Sequence, residues 1–133
     1  MDVSHLLGSL NPAQREAVTA EPGHYLGLAG AGSGKTRVLV QRIAWLTEVL
    51  RFSPWSVLAV TFTNKAAKEM LARLGAMLPL PVRGMWIGTF HGLCNRFLRA
   101  HWKLAGLPQG FQILDMADQL SAVKRIIKAM KLD

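Results

Sequence analysis

The chain has 133 residues, 50% of them hydrophobic and 18% charged, and its 16 Lys and Arg outnumber its 8 Asp and Glu, for a formal net charge of +8. This length predicts a single domain with one core, and the apolar content excludes an intrinsically disordered chain. No apolar stretch reaches the length of a membrane span, and the N-terminus lacks the layout of a signal peptide. The lone Cys94 excludes an internal disulfide and offers no zinc-ligand pattern. Together these features predict a cytoplasmic protein with no membrane contact and no zinc site.

The first predicted elements are a short helix and a strand. The segment Asn11-Pro12-Ala13-Gln14 combines an N-cap, a proline at the first helical position and a glutamine three residues after the cap, which is typical of a helix start. The apolar run from His24 to Leu28 predicts a strand that leads into a glycine-rich loop. The helix predicted after the loop has Leu39, Ile43, Leu46 and Leu50 on its apolar face, Arg37, Gln41 and Glu48 on another face, and Ser53-Pro54 at its end.

Strands and helices continue to alternate along the rest of the chain. The nearly all-apolar segment from Val57 to Phe62 is expected of a strand buried on both faces of a parallel sheet. The helix predicted from Asn64 has Ala67, Met70, Leu71, Leu74 and Leu78 on its apolar face, with Glu69 and Arg73 as an i,i+4 pair outside it. The remaining predictions are a strand from Met85 to Ile87, a helix with Phe90, Leu93, Cys94, Phe97 and Leu98, a candidate strand from Phe111 to Leu114, and a helix capped by Asp115. This alternation predicts an α/β fold with a largely parallel sheet, which binds ligands at the carboxyl ends of its strands.

The glycine-rich loop gives the most specific chemical signal. The Walker A pattern is matched, with Ala where the first Gly usually stands, by Ala29-Gly30-Ala31-Gly32-Ser33-Gly34-Lys35-Thr36. Small residues let successive backbone N–H groups point at phosphate oxygens, and the following helix adds its positive end. Lys35 would reach the β- and γ-phosphates of ATP and the Thr36 hydroxyl would ligate Mg²⁺, so these two are the candidate catalytic residues. The alternative is a strand-to-helix turn that binds no ligand.

Four segments follow one another along the chain: Leu10 to Val18, AGAGSGKTRVL (Ala29 to Leu39), AVTFTNKAA (Ala59 to Ala67) and GTFHG (Gly88 to Gly92). Together they resemble the start of a superfamily 1 DNA helicase of the UvrD/PcrA/Rep-like group, nearest to its DNA helicase II (UvrD) branch. The resemblance implies a P-loop NTPase fold with a RecA-like parallel sheet flanked by helices. Residues 1–110 would be the N-terminal part of the first RecA-like ATP-binding domain, and residues 111–133 the start of a helical subdomain insertion.

The same resemblance implies an activity and its partners. The family hydrolyses ATP with Mg²⁺ and moves 3′ to 5′ on DNA, and membership implies roles in nucleotide excision repair and mismatch repair. The expected partners are single-stranded DNA, DNA junctions and repair proteins, and the expected location is the cytoplasm, associated with the nucleoid.

Two residues outside the glycine-rich loop would complete the nucleotide site. By resemblance, Gln14 would hydrogen-bond the adenine edge and Arg37 would lie flat against the adenine, for which a planar guanidinium is suited. Simpler alternatives stay open at this point. Gln14 closes a capping box with Asn11, a role that its two-ended amide can combine with the first, and Arg37 is a solvated residue of the helix.

The motifs at the second and third strand ends imply contacts with single-stranded DNA. Phe62, Thr63 and Asn64 would hold the strand, because an exposed phenylalanine offers a face for a base and hydroxyl and amide groups suit a phosphate. Thr89 and His91 would meet the DNA backbone or a base. The alternatives are that Phe62 is a core residue, Asn64 only a helix cap and His91 a local capping group.

The distribution of charge is compatible with a DNA-binding role. The stretch from Arg37 to Lys103 has ten Lys or Arg and two Glu, so the middle of the chain carries the basic excess. Arg96, Arg99 and Lys103 share one helical face, which is either a DNA track or simply a solvated surface.

One motif of the family is absent. The helicases have an Asp-Glu pair that coordinates Mg²⁺ through water and activates the attacking water, and this chain has no Asp-Glu dipeptide. We therefore expect an N-terminal fragment of a longer helicase, with little or no hydrolysis of its own. The rival interpretations are a P-loop NTPase of another kind, such as a small kinase or transport ATPase, and a basic nucleic-acid-binding module with a vestigial loop.

Overall fold

The computed structural model describes residues 1–30, 32 and 34–132, which form two compact units, one from Met1 to Asn95 and the other from Arg96 onward. The predicted boundary between residues 110 and 111 stays a prediction. The helices are α1 (Ser4–Leu7), α2 (Pro12–Thr19), α3 (Lys35–Glu48), α4 (Asn64–Met77), α5 (Phe90–Ala100) and α6 (Met116–Ala129), with one 3-10 turn (Pro54–Ser56), and the strands are β1 (Leu58–Thr61) and β2 (Trp86–Thr89). No helix among the described residues is long and apolar enough to cross a membrane.

The sheet of the first unit consists of β1 and β2, which run parallel. Leu58 pairs with Trp86 at one end and Thr61 with Thr89 at the other, so both strands finish at the same edge. Two predicted strands and their parallel arrangement are thus confirmed. The burial expected on both faces is wrong for β1, because Leu58 is 56% exposed while the next residue, Ala59, is 5% exposed.

Two other predicted strands are wrong. The segments from His24 to Leu28 and from Phe111 to Leu114 have no regular secondary structure, and Leu26 and Leu28 are 85% and 87% exposed. A strand is held by backbone hydrogen bonds to a neighbouring strand, and among the described residues β1 and β2 pair only with each other. Apolar composition alone therefore did not create a strand where no partner edge was available.

Side-chain caps set the starts of three helices. The start of α2 has the complete predicted capping box. The backbone N–H of Gln14 donates to Asn11 Oδ1 at 2.8 Å, and the backbone N–H of Asn11 donates to Gln14 Oε1 at 2.9 Å. At α4 the Ala66 amide nitrogen donates to Thr63 Oγ1 at 3.1 Å. The predicted cap of the last helix is confirmed, since Asp115 accepts from the Asp118 amide nitrogen at 2.7 Å.

The buried face of α3 differs from the predicted one. Its buried residues include Val40, Ile43, Ala44 and Thr47, whereas Leu39 is 38% exposed. Positions 40, 43, 44 and 47 also follow helical spacing. A prediction based on large apolar residues misses this face, because two of its four positions are Ala and Thr. Because α3 packs against α1, α2 and α4, its buried arc is wide enough to take in Gln41 as well.

The core of the first unit lies between the sheet and helices α1, α3 and α4. The predicted apolar face of α4 is confirmed, with Ala67, Met70 and Leu74 buried in the helix and Leu78 buried just after it. Each large side chain buried in this way stabilises the unit by about 1.5–3 kcal/mol. The cluster comprises Leu6, Val40, Ile43, Ala44, Ala59, Met70, Leu74, Leu78, Met85 and Ile87.

The second unit buries much less. None of the described side chains of α6 is buried, and Leu120, Val123 and Ile127 are 55%, 45% and 39% exposed. Within this unit Arg99 packs over the Phe111 ring at 4.5 Å and its Nη1 donates to the Phe111 carbonyl oxygen at 3.2 Å.

Candidate functional site

The loop before α3 depends on glycine at two described positions. Gly32 and Gly34 have φ angles of +75° and +82°, in the left-handed region that other residues adopt at a cost. At Gly34 there is a second constraint, because a Cβ there would lie 3.1 Å from Gln14 Nε2. The loop residues Ala31 and Ser33 of the predicted site lie outside the described residues.

The start of α3 presents a positive helix end. Gly34 is the N-cap, and the Val38 amide nitrogen donates back to its carbonyl oxygen at 3.0 Å. The amides of the preceding residues, Lys35 to Arg37, have no earlier helical carbonyl to bond, and their dipoles add to a positive end. The first turn contains no acidic side chain, so no carboxylate there competes with an anionic ligand or repels it.

A cleft of about 500 Å³ opens at this helix start. It brings together six of the ten residues predicted to bind the nucleotide and adds two from α4 that the sequence did not assign to the site. Ala29 and Gly30, the first two residues of the loop, are exposed and are not part of the lining. The lining residues are Gln14, Gly32, Gly34, Lys35, Thr36, Arg37, Glu69 and Arg73.

Gln14 links α2 to the loop. One end of its side chain, Oε1, accepts from the Asn11 amide in the capping box, which confirms the simpler role considered for this residue. The other end, Nε2, lies beside Gly34, so the amide reaches the cleft with the end that the cap does not use. Its contact with adenine stays a prediction, as does the stacking of Arg37, which is exposed in the same cleft.

The cleft lining is basic. Lys35, Arg37 and Arg73 contribute three cationic side chains, and Glu69 contributes one carboxylate. The carboxylate is paired, since Glu69 Oε1 lies 2.6 Å from Arg73 Nη2 one turn along α4. The pattern of the sequence predicted this pair but placed it on an outer face, because nothing local shows which neighbour a helix surface will meet.

The second predicted surface lies where β1 and β2 end side by side. Thr63 Oγ1 is committed to the α4 cap, and Thr89 Oγ1 accepts from the Gly92 amide nitrogen at 3.1 Å. Each hydroxyl therefore caps the N-terminus of the helix that follows, α4 for Thr63 and α5 for Thr89. This single edge of the sheet brings together the residues predicted to contact DNA in both motifs, namely Phe62 to Asn64, Thr89 and His91.

The side chains at this edge decide between the alternatives left by the sequence. Phe62 is 89% exposed, so the core interpretation is wrong. The α4 cap is Thr63, so the capping role considered for Asn64 is wrong too. The His91 side chain is exposed and forms no hydrogen bond with other described residues, and Thr89 performs the capping there. The sequence missed Phe90, whose ring lies 5.6 Å from that of Phe62 and is 52% exposed.

The helical face of basic residues is partly engaged within the chain. Arg99 is held by Phe111, and Lys103 Nζ lies 5.4 Å from the centre of the Trp102 ring. These contacts favour a structural role for Arg99 over a DNA track.

Comparison with known proteins identifies the family. Residues 10–133 match the family model described as UvrD/REP helicase N-terminal domain. The whole chain is 64% identical to DNA helicase II of Escherichia coli (strain K12) and 56% identical to DNA helicase II of Haemophilus influenzae, of which it covers 18% and 19%. Over 98% of its length it is 50% identical to ATP-dependent DNA helicase PcrA of Bacillus subtilis (strain 168), of which it again covers 18%. The chain thus spans less than a fifth of the length of these relatives, and it belongs to the UvrD/REP helicase N-terminal domain family.

Proposed function

We propose that this chain contributes the P-loop half of the ATP site, and part of the single-stranded DNA track, of an ATP-dependent DNA helicase that moves 3′ to 5′. The observation that carries the proposal is the cleft at the start of α3, where Gly34, Lys35, Thr36 and Arg37 meet Gln14. Support also comes from the relatives, whose names are DNA helicase II and ATP-dependent DNA helicase PcrA.

The nucleotide would bind with its phosphates at the start of α3. The N–H groups of the first turn and the Lys35 ammonium supply positive charge for a triphosphate. Thr36 is half-buried in the cleft, and its hydroxyl is the oxygen ligand that this chain offers to Mg²⁺. The described residues contain no group of three His, Cys, Asp or Glu that could hold a metal ion.

The DNA strand would pass the shared edge of β1 and β2. Phe62 offers an exposed ring to a base, and Thr63, Asn64, Thr89 and His91 offer polar groups to the backbone. We assign the wider RecA-like sheet, the roles in nucleotide excision and mismatch repair, and association with the nucleoid to the complete protein. Since the 133 residues contain no Asp-Glu pair, we expect them to bind ATP without hydrolysing it on their own.

The proposal is tested by measuring ATP hydrolysis by the complete gene product with and without single-stranded DNA. The unaltered protein should hydrolyse ATP faster when DNA is present, and Lys35→Ala should abolish the activity because the phosphates lose their cation. Lys68→Ala, which removes an exposed lysine of α4 outside the cleft, is the matched control. Activity that survives Lys35→Ala would refute the role of the loop, and ATP hydrolysis indifferent to DNA would favour a P-loop NTPase of another kind.

A further inference from the structure

We propose that Arg73 is a further nucleotide-contacting residue, whose guanidinium packs against the nucleoside half of ATP, and that Glu69 is its positioning residue. The inference rests on the proposed function, because it adds residues to the same cleft. It concerns a helix whose apolar face and ion pair were predicted but which had no assigned role in nucleotide binding.

Arg73 stands where two cavities meet. It lines the cleft that contains Lys35 and Thr36, and it also lines a second cavity of about 290 Å³ between α3 and α4, with Val40 and Met77. Arg37 is the other residue that lines both. The two arginines therefore flank the point where the cleft continues beyond the first turn of α3.

This position places Arg73 between the start of α3 and the cavity further along that helix. The phosphate-binding groups are fixed at the helix start, from Gly34 to Thr36, and each residue of α3 adds about 1.5 Å along the axis. Val40, with which Arg73 shares the second cavity, therefore lies about 6 Å beyond Thr36 along the axis. A ligand that holds its phosphates at the helix start reaches Arg73 with its sugar and base.

Glu69 fixes the plane of the Arg73 guanidinium. Its Oε1 accepts from Arg73 Nη2 at 2.6 Å, and this charge-assisted bond lies in the guanidinium plane. The flat face is then left to stack, which a guanidinium does well on an aromatic ring and a Lys ammonium does not. The two side chains are 43% and 48% exposed, and an exposed pair of this kind contributes little to stability, so removing it should leave the fold intact.

The inference is tested with the complete gene product by displacement of a fluorescent ATP analogue, which gives affinities for Mg-ATP and for Mg-tripolyphosphate. Arg73→Ala should weaken Mg-ATP binding about tenfold, the loss expected of one desolvated cation–π contact, and leave tripolyphosphate binding unchanged. Arg73→Lys should behave like Arg73→Ala because it keeps the charge and loses the planar face. Glu69→Gln should weaken Mg-ATP binding by a smaller factor, and Lys68→Ala on the same helix should change neither affinity.

Each alternative outcome has a distinct meaning. An equal loss for ATP and tripolyphosphate in Arg73→Ala, or no loss for either, would overturn the inference, as would an Arg73→Lys variant with unaltered ATP affinity. Lys35→Ala should weaken both ligands. If it weakens neither, the proposed function itself fails, and the inference falls with it. Thermal unfolding of each variant shows whether it is folded, and Arg73→Lys provides the test if Arg73→Ala is not.

Discussion

Phe62 presents an exposed aromatic ring at the carboxyl end of β1. Its ring is 89% exposed and touches only the half-exposed ring of Phe90 among aromatic neighbours in the described chain. A large apolar side chain left in water at the end of a strand gains nothing for the fold. A nucleic-acid base, which has an apolar face of similar size, would cover it.

Truncation of this ring should therefore weaken DNA binding. Phe62→Ala is expected to lower the affinity of the complete gene product for single-stranded DNA by about 1–3 kcal/mol, the usual contribution of one stacked base. Fluorescence anisotropy with a labelled oligonucleotide measures it. Phe52→Ala, which removes another exposed phenylalanine away from the strand ends, is the control, and equal affinities for the two variants would show that no base stacks on Phe62.

Single residues also show how far the sequence could predict the site. Gly34, Lys35 and Thr36 were predictable because the loop conformation and the helix start are local properties of a short segment. Glu69 and Arg73 were recognisable as a pair but not as cleft residues, because their place depends on how α4 packs against α3. Long-range packing of this kind has no signature in a local pattern.

At the scale of elements, helices were easier to predict than strands. The caps at Asn11, Thr63 and Asp115 act within one turn, so helix starts follow from a few neighbouring residues. Strands depend on distant partners, which is why the run from His24 to Leu28 looked like a strand and is not one. The helix α3 was itself predicted. Which of its two apolar faces is buried, the one with Leu39 or the one with Val40, depends on how it packs against α1, α2 and α4.

The buried face of α3 can be tested by unfolding. Ile43→Ala should destabilise the chain by about 2–5 kcal/mol, because it leaves a cavity in the core. Leu39→Ala should cost less than about 1 kcal/mol, since Leu39 lies outside the core and surface substitutions rarely cost more. Urea denaturation of the two variants compares them directly. Similar losses would mean that the stripe through Leu39 is buried after all.

At the scale of the whole molecule, α4 connects the two candidate surfaces. It begins beside Phe62 at the strand ends and carries Arg73 into the cleft at the start of α3. Asn64 and Arg73 are nine residues apart, about 14 Å along one helix axis. A rigid helix that reaches both candidate surfaces would be a physical route for coupling between the proposed ligands. The excess of basic residues between Arg37 and Lys103 would attract both of the proposed polyanionic ligands.

Strand displacement tests whether this chain belongs to an ATP-driven DNA motor, as we propose. The complete gene product would be given a short DNA duplex with a single-stranded 3′ tail, a duplex with a 5′ tail, or a blunt duplex, each with Mg-ATP. We expect the duplex with the 3′ tail to be unwound fastest and Lys35→Ala to unwind none of the three. Unwinding that is indifferent to ATP, that persists in Lys35→Ala, or that favours the 5′ tail would contradict it.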